Sequence, residues 1–351
     1  KKIIEEINTK FPNNSKSFQL YSKIHTYKEE DNHQKIMLDK IKDQNLDNEN
    51  LANFYFALAK SFFDQKNIEK SAEFTLKANE TKFKTFHNYN FNLEIQKFER
   101  MKFYFKDYNF DKSLSDYGKK LLTKNTRSGT TLMHQIIGSH SKVIGVEESD
   151  FLNQSLEKMF KEKNDFKNFF TNTIHNKNEI LKISEDILSK YKMYHESKIV
   201  VDKNPFNFRW IGFIKILFPN AKIIHSNRNI IDSAFSIYRN VFDSPLGWTY
   251  HQDYLVQYIK HYKILMNFWN EKLRNFIYDY KYEYLDNNQI EETKNILNFC
   301  KLDFEENCID YTKNKISVRT VSVAQARQKI YKSSVKFSEN YIDYFPFLKS
   351  L

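Results

Sequence analysis

With 351 residues, 40% of them hydrophobic and 16% aromatic, the chain can bury a sizeable core as one large domain or two modest ones, and it is too apolar to be disordered. Its net charge of +11 suits an anionic partner, but the lysines run along the whole sequence, which reads as composition bias and not as a nucleic-acid footprint. Cys300 and Cys308 are the only cysteines, too few for a disulfide framework or a cysteine-rich metal site, and no apolar run approaches the roughly 20 residues of a membrane span.

These features predict a protein of a reducing compartment, the cytoplasm, with no membrane span. The opening residues, KKIIEEINTKF, mix acidic with apolar side chains and offer no small-residue cleavage site, so no signal peptide is expected.

The first hundred residues lack glycine and carry one proline, Pro12. Apolar residues recur there at helical spacing between Asn/Asp turns, which predicts stacked helices. Within LANFYFALAKSFFDQKNIEKSAEFTLKAN (51–79), Tyr55, Leu58, Ala59 and Phe62 share one helical face. Beyond the DQKN turn, Ala72, Leu76 and Ala78 supply the apolar and small positions of a second helix. The segment resembles one tetratricopeptide repeat; an ordinary helical hairpin explains it as well.

Beyond about residue 100, short β-branched runs alternate with helical stretches. Strands are expected at 142–146, 197–202, 221–226 and 275–283, and helices at 151–193, 206–217, 229–240 and 250–274. Such alternation predicts a parallel sheet flanked by helices, with ligands beyond the carboxyl ends of the strands. In RSGTTL (127–132), Gly129 permits close backbone approach, Thr130 and Thr131 add hydroxyls and a helix cap, and Arg127 supplies a fixed positive fork. Loop and helix together would cradle an anion, with the helix starting near Leu132. A capped turn explains the same residues, and the G-x-x-x-x-G-K-[ST] spacing of a nucleotide triphosphatase is missing. Downstream, Lys203 is placed at the carboxyl end of one strand, Arg228 closes the next, and Ser236 sits two turns into the following helix.

At these residues the chain resembles the sulfotransferases that use 3'-phosphoadenylyl sulfate (PAPS). It is most similar to bacterial tetratricopeptide-repeat sulfotransferases and more distantly to tyrosylprotein sulfotransferases. The likeness runs from about residue 50 to 337, through RSGTTLMHQIIGSH, VEE, DKNPFNF, FPNAKIIHSNR, FSIY, YEYL and VRTVSVAQARQKIYKSSV. It implies a P-loop-like α/β sulfotransferase domain over 106–351 behind a helical, tetratricopeptide-like module over 1–105. Arg127 and the Ser128, Gly129, Thr130, Thr131 and Leu132 segment would hold the 5'-phosphate and sulfonate. Lys203 would stabilise the leaving phosphate, and Glu148 of GVEES would be the general base. Arg228 with Ser236 would hold the 3'-phosphate, Tyr282 the adenine region, and Ser322, Gln325 and Arg327 would wrap the nucleotide. PAPS would be the sulfonate donor, adenosine 3',5'-bisphosphate the product, and a hydroxyl of a peptide, sugar or small molecule the acceptor. A protein partner is expected at the helical module.

Several residues keep other readings. Glu147 and Glu148 would also suit the dipole of a helix at 149–160. His140 reads as structural and His225 as a satisfied sheet-edge histidine. The family's buried strand before the loop is replaced by YGKKLLTKNT (117–126), whose lysines are unusual for a central strand; lysine stems reaching outward, a short or distorted strand, or a degraded copy would each account for it. Asn229 stands where many relatives are acidic. A repeat-based binding protein with an inactive nucleotide domain, or an ATP-dependent phosphotransferase, are the competing functions.

Overall fold

The computed structural model describes residues 2–110, 121–124, 130–162, 166–194, 198–311 and 337–351. They fall into two compact units: those within Lys1–Ile95, Asn229–His261 and Ser333–Leu351, and those within Gln96–Arg228 and Tyr262–Lys332.

The first unit is helical. Its elements include α1 (Lys2–Lys10), α2 (Ser15–Ile24), α3 (Asn32–Lys40), α4 (Asn48–Asp64) and α5 (Ile68–Phe83), and later in the chain α12 (Ile230–Tyr238). With only 6 glycines and 5 prolines to punctuate it, the chain starts its helices with Asn and Asp. Asn14, Asp31, Asp47, Asn67 and Asn229 each accept a first-turn backbone N–H at a helix start, satisfying donors that no helical carbonyl reaches. The predicted hairpin at 51–79 is α4 and α5. Leu58, Ala59, Phe62 and Ala72 are buried in it, Tyr55 and Leu76 are half-buried, and the Phe62 and Phe74 rings stack at 5.4 Å.

Among the described residues the second unit holds a five-stranded parallel sheet in the order β2-β3-β1-β4-β5. The strands are β1 (Leu121–Lys124), β2 (Val143–Glu147), β3 (Ile199–Lys203), β4 (Lys222–Asn227) and β5 (Ile277–Lys281). The four expected strands are present within two residues at their starts. Of the segment 117–126 the described residues Leu121–Lys124 form β1, which occupies the centre, pairing with β3 on one side and β4 on the other. From β1 the order runs outward to β2 in one direction and to β5 in the other, so the crevice of such a sheet opens beyond the carboxyl end of β1.

Side-chain alternation gives each strand two faces. Ile199 and Val201 of β3, Ile224 of β4, and Tyr278 and Tyr280 of β5 pack with Leu132, Met133, Ile136 and Ile137 of α7 (Thr130–Gly138), and with Leu285, Ile296 and Leu297 of α14 (Tyr282–Phe299). Cys300 and Cys308 lie in this core as free thiols, and burial pushes the Cys308 thiol up to about 11. The long helical pattern at 151–193 is broken into α8 (Phe151–Glu162), α9 (Phe166–Thr171), a 3-10 turn (Thr173–His175) and α10 (Lys177–Lys192), because Asn176 caps a fresh helix start. Likewise the stretch from 206 begins as a 3-10 turn (Asn207–Trp210) before α11 (Ile211–Leu217).

Two helix ends show what glycine scarcity costs. Lys66 after α4 and Lys301 after α14 have φ of 60° and 54°, in a left-handed conformation that glycine adopts freely. At the second, Lys301 N–H donates to Asn298 O and Leu302 N–H to Leu297 O, both at 2.9 Å, the paired bonds of a Schellman end. Gly212 on α11 is the opposite case. A Cβ there would lie 2.6 Å from the Phe105 ring and 2.7 Å from that of Trp269.

Lys301→Gly is therefore expected to raise stability by up to about 1 kcal/mol. Gly212→Ala should lower it by about 1–3 kcal/mol through overpacking. Urea denaturation of both variants beside the parent protein reads the two signs.

Candidate active site

The carboxyl ends of β2 and β3 meet in register, Glu147 opposite Lys203. Ile199 and Val201 face the α7 side of the sheet, so period-two alternation sends Lys203 to that side and Asp202 to the other. The Lys203 side chain is 2% exposed, and its ammonium donates to Glu148 Oε1 at 3.1 Å. Glu148 reaches it by leaving the strand: its φ is +36°, while its N–H still donates to Lys203 O at 3.1 Å. Such a backbone costs a glutamate roughly 1–3 kcal/mol and persists only where its surroundings over-determine it. The structure thus brings the expected base and the expected phosphate-stabilising lysine into direct contact. Glu148 precedes α8 by three residues, so it is not in that helix's first turn.

On the opposite face, Asp202 is completely buried and accepts three hydrogen bonds. Tyr191 Oη donates at 2.7 Å, Asn207 Nδ2 at 2.9 Å and Ser149 Oγ at 3.0 Å. Loss of solvent pushes its carboxyl up from 3.8 to about 6, against the three donors that favour the ionised form. Asn204 Nδ2 donates to Ser149 O at 2.7 Å. Ser149, Tyr191, Asp202, Asn204 and Asn207 did not stand out as site residues in the sequence. The available signal was the polar run DKN ending an otherwise apolar strand, where an acid and an amide must find partners.

At the other end of the sheet, β4 and β5 finish in register with Asn227 opposite Lys281. The next residue of each strand is an expected site residue, and the Arg228 guanidinium lies 5.3 Å from the Tyr282 ring centroid. Tyr282 directly follows β5 and opens α14, whose apolar residues Leu285, Ile296 and Leu297 hold it on the sheet. Helix α7 begins at Thr130, two residues earlier than expected, with Thr131 half-buried and the Leu132 side chain in the core. Ser236 lies on α12, in the helical unit. Asn229 caps that helix, accepting from Ile231 N–H and Asp232 N–H, a role its amide fills as an acid would. Arg127, Ser128, Gly129, Ser322, Gln325 and Arg327 lie outside the described residues.

Both flagged histidines are held by structural partners. Lys142 N–H donates to His140 Nδ1 at 3.1 Å, which leaves the proton on Nε2 to donate to Asp303 O at 3.0 Å. His225 bonds Asp279 through Nδ1 and the Tyr262 hydroxyl through Nε2, the latter at 2.5 Å. Among the described residues no group of His, Cys, Asp and Glu is arranged to hold a metal ion, and no helix is long and apolar enough to cross a membrane.

A raised carboxyl pKa stabilises the folded chain below the ordinary value near 3.8, and that contribution is lost as pH rises through about 6. Between about pH 4 and about pH 7, the stability of Asp202→Asn relative to the parent should therefore rise by on the order of 3 kcal/mol. Urea titrations at the two pH values check this, and a constant difference would contradict it.

The sulfotransferase family signature matches residues 125–306, more than half of the chain. An uncharacterized protein of Aquifex aeolicus (strain VF5) is 31% identical over 237 residues, 62% of this chain, and the chain spans 30% of that relative's length. Among solved structures, the sulfotransferase domain from the curacin biosynthetic pathway is similar with a TM-score of 0.39 and 17% identity, over 60% of this chain and 82% of that one. The sulfotransferase domain from the Synechococcus PCC 7002 olefin synthase has a TM-score of 0.39 and 15% identity, over 68% and 98%.

Proposed function

The chain belongs to the sulfotransferase family, and from that membership we propose that it moves a sulfonate group from PAPS to an acceptor hydroxyl. The observation that carries the reading is the contact between Glu148 and Lys203, Nζ to Oε1 3.1 Å, at the ends of adjacent parallel strands. A carboxylate to take up a hydroxyl proton and an ammonium to meet charge on a departing phosphate are the two groups sulfonate transfer requires.

Arg228 beside the Tyr282 ring fits the nucleotide, a guanidinium for the 3'-phosphate next to an aromatic face for the adenine region. When bound, the nucleotide supplies the sulfonate and its phosphate leaving group. Glu148 is the general base, with half of its side chain open to solvent for an acceptor to approach. Lys203, fixed and nearly dry, offers positive charge in a low-dielectric setting where it acts strongly. Arg127 with Ser128, Gly129, Thr130, Thr131 and Leu132 completes the 5'-phosphosulfate cradle in this proposal. Ser236, Ser322, Gln325 and Arg327 complete the grip on the rest of the nucleotide. Arginine and lysine carry the compensating charge, so the scheme includes no metal. The protein would act in the cytoplasm. In this proposal the domain over 106–351 carries the transfer, and the helical module over 1–105, read as tetratricopeptide-like, would gather a peptide or protein acceptor or a second subunit.

Adenosine 3',5'-bisphosphate is expected to raise the thermal midpoint where ATP does not. Labelled-sulfonate transfer to a panel of phenolic, sugar and alkyl hydroxyls should fall about 10²–10⁴-fold in Glu148→Gln. A comparable fall is expected in Lys203→Met. Stabilisation by ATP in preference to the bisphosphate would overturn the donor assignment, and an undiminished rate in Glu148→Gln would reassign the base.

A further inference from the structure

The left-handed backbone of Glu148 needs something to hold it, and the hydrogen bonds around it form one connected clamp. Three consecutive residues at the end of β3 grip two consecutive residues after β2. Lys203 O accepts from Glu148 N–H, Asp202 Oδ1 accepts from Ser149 Oγ, and Asn204 Nδ2 donates to Ser149 O. The clamp is anchored behind: Asp202 Oδ2 also accepts from Tyr191 on α10 and from Asn207 in the following 3-10 turn. Asn204 Oδ1 in turn accepts from Phe206 N–H at 2.9 Å.

We propose that Asp202, Ser149 and Asn204 are positioning residues that fix the carboxylate of Glu148 for proton uptake. The proposal rests on the reading of Glu148 as the general base. Its physical ground is the cost of imprecision. A base must hold its proton-accepting oxygen to within about half an ångström, and a displacement of about 1 Å costs on the order of 10²-fold in rate. Glu148 has no helix or sheet geometry of its own to impose that precision, since it stands beyond β2 and before α8. Its side chain is half-exposed and bears on the rest of the protein through the Lys203 ion pair. Three bonds to the backbone of residues 148–149 and to the neighbouring hydroxyl supply the missing constraint. Asp202, the acceptor of one of them, is itself immobilised by burial and by two further donors. A purely structural need at this position would be met by an apolar side chain without burying a carboxylate.

The test combines a rate with a local measurement that needs no acceptor. Ser149→Ala removes the hydroxyl that reaches Asp202, and Ser149→Thr restores it. In Ser149→Ala, exchange of the Glu148 amide hydrogen, read by hydrogen-exchange spectroscopy, should quicken about tenfold. The maximal rate of sulfonate transfer should drop about 10–100-fold. The KM for PAPS and the thermal shift given by adenosine 3',5'-bisphosphate should stay within about twofold of the parent, as expected when only the base is displaced. Ser149→Thr should recover both exchange and rate. Unchanged exchange, an unchanged rate, or a loss shared equally by nucleotide binding would overturn the proposal. Glu148→Gln, measured alongside, separates the two levels. If it is inactive while Ser149→Ala is fully active, the clamp alone fails; if it is fully active, the reading of Glu148 fails, whatever the exchange data show.

Discussion

An ammonium taken out of water must be met by opposite charge and by hydrogen-bond acceptors, or the chain will not fold around it. Lys203, with 2% of its side chain exposed, imposes that condition on the second unit. The lysine ends β3, so its partner has to come from the end of a neighbouring strand. β2 supplies it, at the price of a backbone conformation that glutamate disfavours. Parallel pairing is what makes the encounter possible, because it brings all carboxyl ends to one edge of the sheet. The same rule operates at the far side, where β4 and β5 end in register and deliver Arg228 and Tyr282 to each other.

β3 is unusual in placing two ionisable side chains in succession, one toward each layer of helices. Lys203 shares a face with Ile199 and Val201 and the α7 core, while Asp202 turns toward Tyr191 of α10. The two groups are compensated differently. The lysine has a partially exposed carboxylate as partner, whereas Asp202 is surrounded by neutral donors and keeps a carboxyl shifted up to about 6. One strand end thereby combines a charge paired with Glu148 on one face with a charge enclosed by neutral donors on the other.

Much of this was legible in the sequence, and the failures are instructive. KIVVDK and KIIHSN read as strands because β-branched runs between helical patterns leave few other options, and their polar ends marked Lys203 and Arg228. The helical hairpin of α4 and α5 was visible from small residues at helical spacing. β1 was obscured because LLTK, preceded by Lys119 and Lys120, carries little hydrophobic pattern, although the strand is central. α14 was hidden behind YEYL, since a helix that follows a strand with no intervening loop offers no turn residues to mark it. The Asp202 network was missed because its members span 149 to 207 and are brought together only by packing. The Asn and Asp turns between the N-terminal helices were visible because such residues are a local signal, whereas the Asn176 cap inside the 151–193 pattern was passed over.

The adjacency of Asp202 and Lys203 ties the ion pair with Glu148 to the pairing of β2 with β3. Were β3 to slip by a single residue against β2, carboxylate and ammonium would exchange faces. Acid would then confront acid beside Glu148, and a cation would be driven among the hydroxyls of Ser149 and Tyr191. Mispaired states of this sheet are thus penalised electrostatically as well as by lost apolar packing. The ionisable pair that ends β3 therefore also proofreads the assembly of the sheet that carries it.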